Sequence, residues 1–297
     1  MILVAGATPR VRDLAWGRVY SCVLPASHRP GWALLSDPHI AESKSGESNK
    51  QRTAERLRRV VAEVLASGPL PSLVNGDLAW SHGRVEDYRH FLEIVRPLAA
   101  GPGLVLGVGN HDRRNNLLAV LCEPPLPPRA RLVATVDRGP YRFVLLDSLI
   151  DAEEVGGEIG APQLEWLEEA LSSTPSQRTL LLVHHPGRSK SRGCIDFGAL
   201  VDVAERHPCV QAIVTGHEHE FALGERRGIH RIGLPATAFP FEPRVPIGWV
   251  EAAMGSAGID VRFRHAGATS EHRLGWRQGR QPSGERPRVD SPSPFRL

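Results

Sequence analysis

Five short apolar runs, each broken off by a tight cluster of Asp, His, Asn and Gly, constrain this chain more than any other feature. Trp32 to Leu35 runs into Ser36-Asp37-Pro38-His39, Ser72 to Val74 into Asn75-Gly76-Asp77, and Leu104 to Val108 into Gly109-Asn110-His111-Asp112. Thr179 to Val183 leads into His184-His185-Pro186, and Val210 to Val214 into Gly216-His217-Glu218-His219. Runs this short, rich in Val and Leu, read as buried strands; Phe143 to Leu146 adds another. Between them lie segments with helical spacing. From Gln51 to Ser67 the apolar Ala54, Leu57, Val60, Val61, Val64 and Leu65 line one face of a helix. Leu164, Leu167 and Leu171 repeat that spacing after Pro162, a residue favoured in a first helical turn. Further helices are expected over Val85 to Val95 and Phe197 to Arg206. Such alternation is the mark of layered α/β structure. In open α/β sheets the carboxyl ends of strands line the ligand crevice, so five strands would deliver Asp, His and Asn to one rim.

Later in the chain the helices stop. Gly228 to Gly233, Gly248 to Ala252 and Ile259 to Phe263 read as short strands forming an antiparallel flank to a mixed sheet. The first thirty residues, including Val19 to Leu24, offer one more strand or hairpin.

At 297 residues and 41% hydrophobic, one main domain over residues 1–265 can bury a large core. Residues 266–297, rich in Arg, Pro and Ser, read as a disordered tail. The chain carries 36 basic and 33 acidic residues, but Arg273, Arg277, Arg280, Arg286, Arg288 and Arg296 lie in that tail against Glu271, Glu285 and Asp290. The two signs therefore balance before it, and no basic face for a nucleic-acid backbone is inferred. Cys22, Cys122, Cys194 and Cys209 are scattered without a CxxC pair, the pattern of free thiols in a reducing cytoplasm. The apolar opening from Met1 to Ala5 is shorter than the roughly 7 to 15 residues of a signal h-region. No run approaches the roughly 20 apolar residues of a membrane span.

Each polar cluster alone has a structural explanation: Asp-x-His and Gly-Asp are ordinary turn sequences, and adjacent histidines can be satisfied imidazoles. Five such clusters at five strand ends are better explained together, as a metal site. In His217-Glu218-His219 the two imidazoles point to one side of an extended segment. Carboxylate, imidazole and amide donors without thiolate suit Mn, Fe, Co or Zn. Seven donors are too many for one zinc but fit two ions sharing a bridging carboxylate.

The ordered set Asp-x-His, Gly-Asp, Gly-Asn-His-Asp, His and Gly-His-x-His, from Trp32 to about His219, resembles the calcineurin-like metallophosphoesterase superfamily. Gly76 to Phe91 and Leu146 to Leu171 further resemble its bacterial cyclic-nucleotide and glycerophosphodiester phosphodiesterases. The resemblance implies a four-layer αββα sandwich of two mixed sheets flanked by helices. It also implies one metal on Asp37, His39, Asp77 and His219, and another on Asp77, Asn110, His184 and His217, with Asp77 bridging. His184 is preferred to His185 because the family's ligand here commonly precedes an x-Pro pair. His111 matches a catalytic histidine that is not a ligand, and Asp112 its orienting partner. Two departures stand out: Ala79-Trp80 where relatives often carry Thr-Asp, and Glu218 and Glu220 beside the last histidines.

The expected reaction is in-line attack on a small phosphodiester by a hydroxide bridging two metals. His111 would protonate the leaving alkoxide or stabilise developing charge. Arg113 or Arg114 could grip a phosphate, or simply open a helix, and His185 could contact substrate. A phosphomonoesterase or protein phosphatase with the same centre is the alternative, and a non-catalytic interaction module a remote one. Substrate choice is expected from Gly187 to Ile195 and Pro235 to Glu242.

Overall fold

The computed structural model describes residues 2–3, 9–25, 31–42, 48–151, 154–188 and 192–277. Its strands form two mixed sheets. The first runs β1 (Ile2–Leu3), β6 (Leu104–Leu106), β5 (Ser72–Val74), β4 (Gly31–Leu35), β13 (Trp249–Met254), β14 (Gly258–His265) and β15 (Ala268–Gly275). The second runs β11 (Ala222–Arg226), β12 (Ile229–Gly233), β10 (Val210–Thr215), β9 (Arg178–Val183), β8 (Tyr141–Leu146), β7 (Arg131–Arg138), β3 (Gly17–Val23) and β2 (Arg10–Leu14). In the first, β4, β5 and β6 are parallel; in the second, β8, β9, β10 and β12 are.

Helices α1 (Ser48–Ala66), α2 (Val85–Ala99) and α3 (Arg114–Val120) pack together beside the first sheet, and α4 (Ala161–Ser172) and α5 (Phe197–Arg206) beside the second. Period-two alternation explains why the second sheet is covered on both faces. On β8, Phe143 and Leu145 enter the core shared with the first sheet, while Val144 and Leu146 join the core under α4 and α5. On β9, Leu180 and Leu182 divide from Leu181 and Val183 in the same way. Between the sheets, the rings of Trp32 and Phe143 lie 4.3 Å apart. Each such side chain contributes about 1.5–3 kcal/mol through burial. The helical spacing around Leu57 is realised: Leu57, Val60, Val61 and Val64 are buried together with Tyr88, Phe91 and Val95 of α2.

Two sequence expectations change. The late strands do not form one flank: β12 lies parallel to β10 in the second sheet, whereas β13 and β14 are antiparallel in the first. Residues 268–275, assigned above to a disordered tail, form β15 along β14. This strand is almost wholly exposed, held by backbone pairing and by cross-strand ion pairs such as Arg273–Asp260 at 2.6 Å, so it has no apolar pattern to read. Residues 278–297 of that expected tail lie outside the described residues. The first thirty residues supply the β2–β3 hairpin at the edge of the second sheet. Strand β7 was not foreseen, because it ends in a buried arginine, Arg138, whose guanidinium donates to the Gly31 carbonyl at 3.0 Å.

Candidate metal centre

Register brings the polar clusters to one place. Leu35, Val74 and Leu106 are aligned partners across β4, β5 and β6, so those strands end level. Across the second sheet Leu182 aligns with Val214. The two sheets are tied where these ends meet: the Asn75 side-chain amide donates to the Val183 carbonyl at 3.2 Å, and the His217 N–H donates to the Asp37 carboxylate at 3.2 Å.

The backbone at these ends is strained. Asp37, His39, Asp77, His217 and His219 all have positive φ, between 46° and 69°. Left-handed conformations in such residues cost about 1–3 kcal/mol each and persist where the surroundings impose them, commonly at functional sites. Space is equally restricted. A Cβ on Gly109 would stand 2.7 Å from His184 Nε2, and one on Gly76 2.6 Å from His184 Nδ1, so both positions require glycine.

All seven expected ligands converge. Asp37, His39, Asp77 and His219 form one buried group whose donor atoms lie within 4.8 Å of one another. His184, His185 and His217 form a second group within the same limit. The groups adjoin: His184 Nε2 is 3.3 Å from Asp77 Oδ2, and His39 Nε2 is 3.5 Å from that same oxygen. His219 Nε2 lies 3.3 Å from Asp37 Oδ1 and 3.2 Å from His39 Nε2. Asn110 Oδ1 meets His217 Nδ1 at 3.0 Å.

These residues fit metal ions. His184 Nδ1 faces the Asn75 carbonyl at 2.7 Å and His39 Nδ1 the Trp80 carbonyl at 3.1 Å. A carbonyl can only accept, so each Nδ1 carries a proton and Nε2 is the nitrogen turned to the carboxylates, able to ligate a metal whenever the ring is neutral, the arrangement of a metal-ligating histidine. His184 Nε2 is nonetheless buried without a hydrogen-bond partner. A buried ring nitrogen of this kind, beside two carboxylates that are themselves buried, calls for positive charge, a proton or a metal cation.

Electrostatics point the same way. Burial opposes the charged form of Asp37, yet His219 and His184 outweigh it and lower its pKa. Burial likewise opposes ionisation of Asp77, but His184 brings it well below the usual range. For His184, burial favours the neutral ring, but Asp77 and then Asp37 raise its pKa to about 10. Burial lowers His39 and His217 to about 4. The cluster thus draws positive charge to its centre.

Other expectations need correction. Asp112 does not orient His111. Its carboxylate accepts the N–H groups of Leu78, Ala79 and Gly109 and the Tyr88 hydroxyl, all between 2.9 and 3.2 Å, whereas His111 Nδ1 has no hydrogen-bond partner. Burial, then Asp77, raises the Asp112 pKa to about 6. The aspartate pins the loop after β5 to the loop after β6, and His111 is placed through its own N–H, which donates to Asp77 Oδ1 at 2.9 Å. Arg114 opens α3 and is held by Asp147 at 2.6 Å, so it is not a free phosphate grip. Arg113 is half-buried, its Nε donating to the His82 carbonyl at 2.9 Å. His185 is wholly buried against His184 and His217 and 2.8 Å from Ser148 Oγ, so it belongs to the second buried donor group rather than being an exposed substrate contact. The Trp80 carbonyl accepts a hydrogen bond from His39 Nδ1 despite the departure at Ala79-Trp80.

Asn75, Tyr88 and Ser148 are supporting residues that sequence reasoning did not assign. Asn75 works mainly through its carbonyl and Tyr88 lay hidden in a helical pattern, so neither carried a signal. The family model of the calcineurin-like phosphoesterases matches residues 33–221. The chain belongs to that family. This phosphoesterase is 28% identical to a 3′,5′-cyclic adenosine monophosphate phosphodiesterase of Vibrio vulnificus, over 75% of this chain and 85% of the relative. It is 29% identical to a cAMP/cGMP dual specificity phosphodiesterase of Mycobacterium tuberculosis, over 78% of this chain and 76% of the relative. Among solved structures, a dimetal phosphatase from Danio rerio superposes with a TM-score of 0.63 at 16% identity, covering 83% of this chain and 98% of the other, a likeness of fold. The expected architecture and a metal-dependent ester hydrolase of this family are thus in place.

Proposed function

We propose that this phosphoesterase hydrolyses a small phosphodiester of the cyclic-nucleotide type, using two metal ions. The observation that carries the reading is the Asp77 carboxylate, one oxygen of which faces both His39 Nε2 at 3.5 Å and His184 Nε2 at 3.3 Å. A carboxylate so placed suits a bridge. One ion would be held by Asp37, His39, Asp77 and His219, the other by Asp77, Asn110, His184 and His217. Oxygen and imidazole donors favour Mn, Fe, Co or Zn. Bound there, such ions act as Lewis acids on phosphate oxygens and make water nucleophilic at neutral pH.

The protein supplies the rest. Carbonyls of Asn75 and Trp80 hold the ligand rings in the correct tautomer, and burial of Asp37, Asp77 and His184 keeps bulk water from the carboxylates. The Asp77 carboxylate anchors the His111 backbone, and the His111 imidazole, 4.8 Å from the His39 ring, donates a proton to the leaving alkoxide. The named activities of the Vibrio and Mycobacterium relatives support a cyclic nucleotide as substrate. Four free cysteines support a reducing compartment, the cytoplasm, and no helix among the described residues is long and apolar enough to cross a membrane.

The test compares turnover of adenosine 3′,5′-cyclic monophosphate, a glycerophosphodiester and an aryl phosphate monoester by metal-assayed protein. Preferential cleavage of the cyclic nucleotide is expected. Cleavage of the monoester alone would make the chain a phosphomonoesterase, and no cleavage by protein with bound metals would make it an interaction module.

A further inference from the structure

We propose that Phe241, backed by Phe239 and Trp80, is a stacking platform for the base of a nucleotide bound at the metal centre. The proposal deepens, and rests on, the nucleotide-diester reading above. Six large apolar side chains are exposed among the described residues, and Phe241, at 63%, is the aromatic one. It is not a stray surface ring. Its plane lies 5° from that of His219, with centroids 3.7 Å apart, although His219 is itself buried. One face of the phenyl ring is therefore covered by a proposed metal ligand, and the exposure belongs to the remainder.

Phe239 stands nearly perpendicular to Phe241, at 87° and 6.5 Å, and packs on His39 at 5.3 Å and Trp80 at 5.2 Å. An aromatic wall thus begins on His39 and His219 and continues outward. His219 directs Nε2 inward to Asp37 and His39 while its face supports Phe241. A phosphate at the metals and a planar ring on Phe241 would be separated by little more than a sugar. A flat ring buttressed by a buried ring loses little freedom on binding, and it suits a planar heteroaromatic ligand by offset stacking. A glycerol-type diester has no group to use it. The segment Pro235 to Glu242, expected from sequence to influence substrate choice, would act through these two phenylalanines.

The experiment measures binding of adenosine 5′-monophosphate and of inorganic phosphate to metal-loaded protein by titration calorimetry, with metal content determined for each variant. Phe241→Ala is expected to weaken adenosine 5′-monophosphate by about 5- to 150-fold while phosphate affinity and metal content stay at wild-type values. Phe241→Tyr, which keeps the ring, is expected to restore nucleotide binding. Equal weakening of both ligands, or loss of metal along with the nucleotide, would overturn the proposal and leave Phe241 as a buttress for His219. Turnover by the wild type is scored separately: a wild type that cuts no cyclic nucleotide sinks the substrate reading, whereas the affinity ratio still decides the platform.

Discussion

At the residue scale, the centre depends on single atoms with defined partners. Asp77 is the most constrained, because its two oxygens serve His39, His184 and the His111 backbone at once. Asp77→Ala is expected to weaken metal binding by more than the roughly 10- to 100-fold typical of outer partners; elemental analysis after gel filtration reads this, and full occupancy would refute the bridging role. His111→Ala is expected to lower turnover by about 10² to 10⁴ with metals retained. Loss of the ions in that variant would instead mark His111 as structural. The proposed ligands were legible in sequence because each is a chemically distinctive residue at the end of an apolar run. The partners that fix their tautomers were not, since the carbonyls of Asn75 and Trp80 belong to the backbone, which sequence does not distinguish.

At the scale of elements, loops after β4, β5, β6, β9 and β10 form one unit, and Asp112 is the fastener between two of them. Asp112→Ala would leave three buried N–H groups and the Tyr88 hydroxyl without their acceptor. With each orphaned donor costing about 1–3 kcal/mol, a loss of about 3 kcal/mol or more is expected in urea denaturation. Unchanged stability would show that these groups find other acceptors. Strands that are unbroken apolar runs, such as β9, and helices with one apolar face, such as α1, could be read directly from sequence. Strand β15 could not, because its pairing is backbone hydrogen bonding and surface charge; nor could the placement of β12, because register and sheet membership depend on partners distant in sequence. Asp112 illustrates the same limit: an Asp beside a His suggests a pair, but the backbone turns the carboxylate toward Leu78, Ala79 and Gly109 instead.

On the scale of the whole molecule, both sheets converge on the proposed cation site, so metal binding is expected to be coupled to folding. Removing the ions with a chelator is expected to lower the melting temperature, because a ligand at about 100 times its Kd adds about 2.7 kcal/mol to the folded state. For a chain of this size that corresponds to roughly 4 °C, recovered on adding metal back; an unchanged melting curve after verified removal would separate the site from the fold. The fold class was legible early because strand and helix periods alternate along the chain, and the site because the strand ends carry the unusual residues. The most direct test of the two-metal centre is anomalous X-ray scattering from crystals grown with Mn or Zn. Two peaks about 3.5–4 Å apart, on either side of the Asp77 carboxylate, are predicted. A single peak, or none within reach of Asp77, would contradict the account.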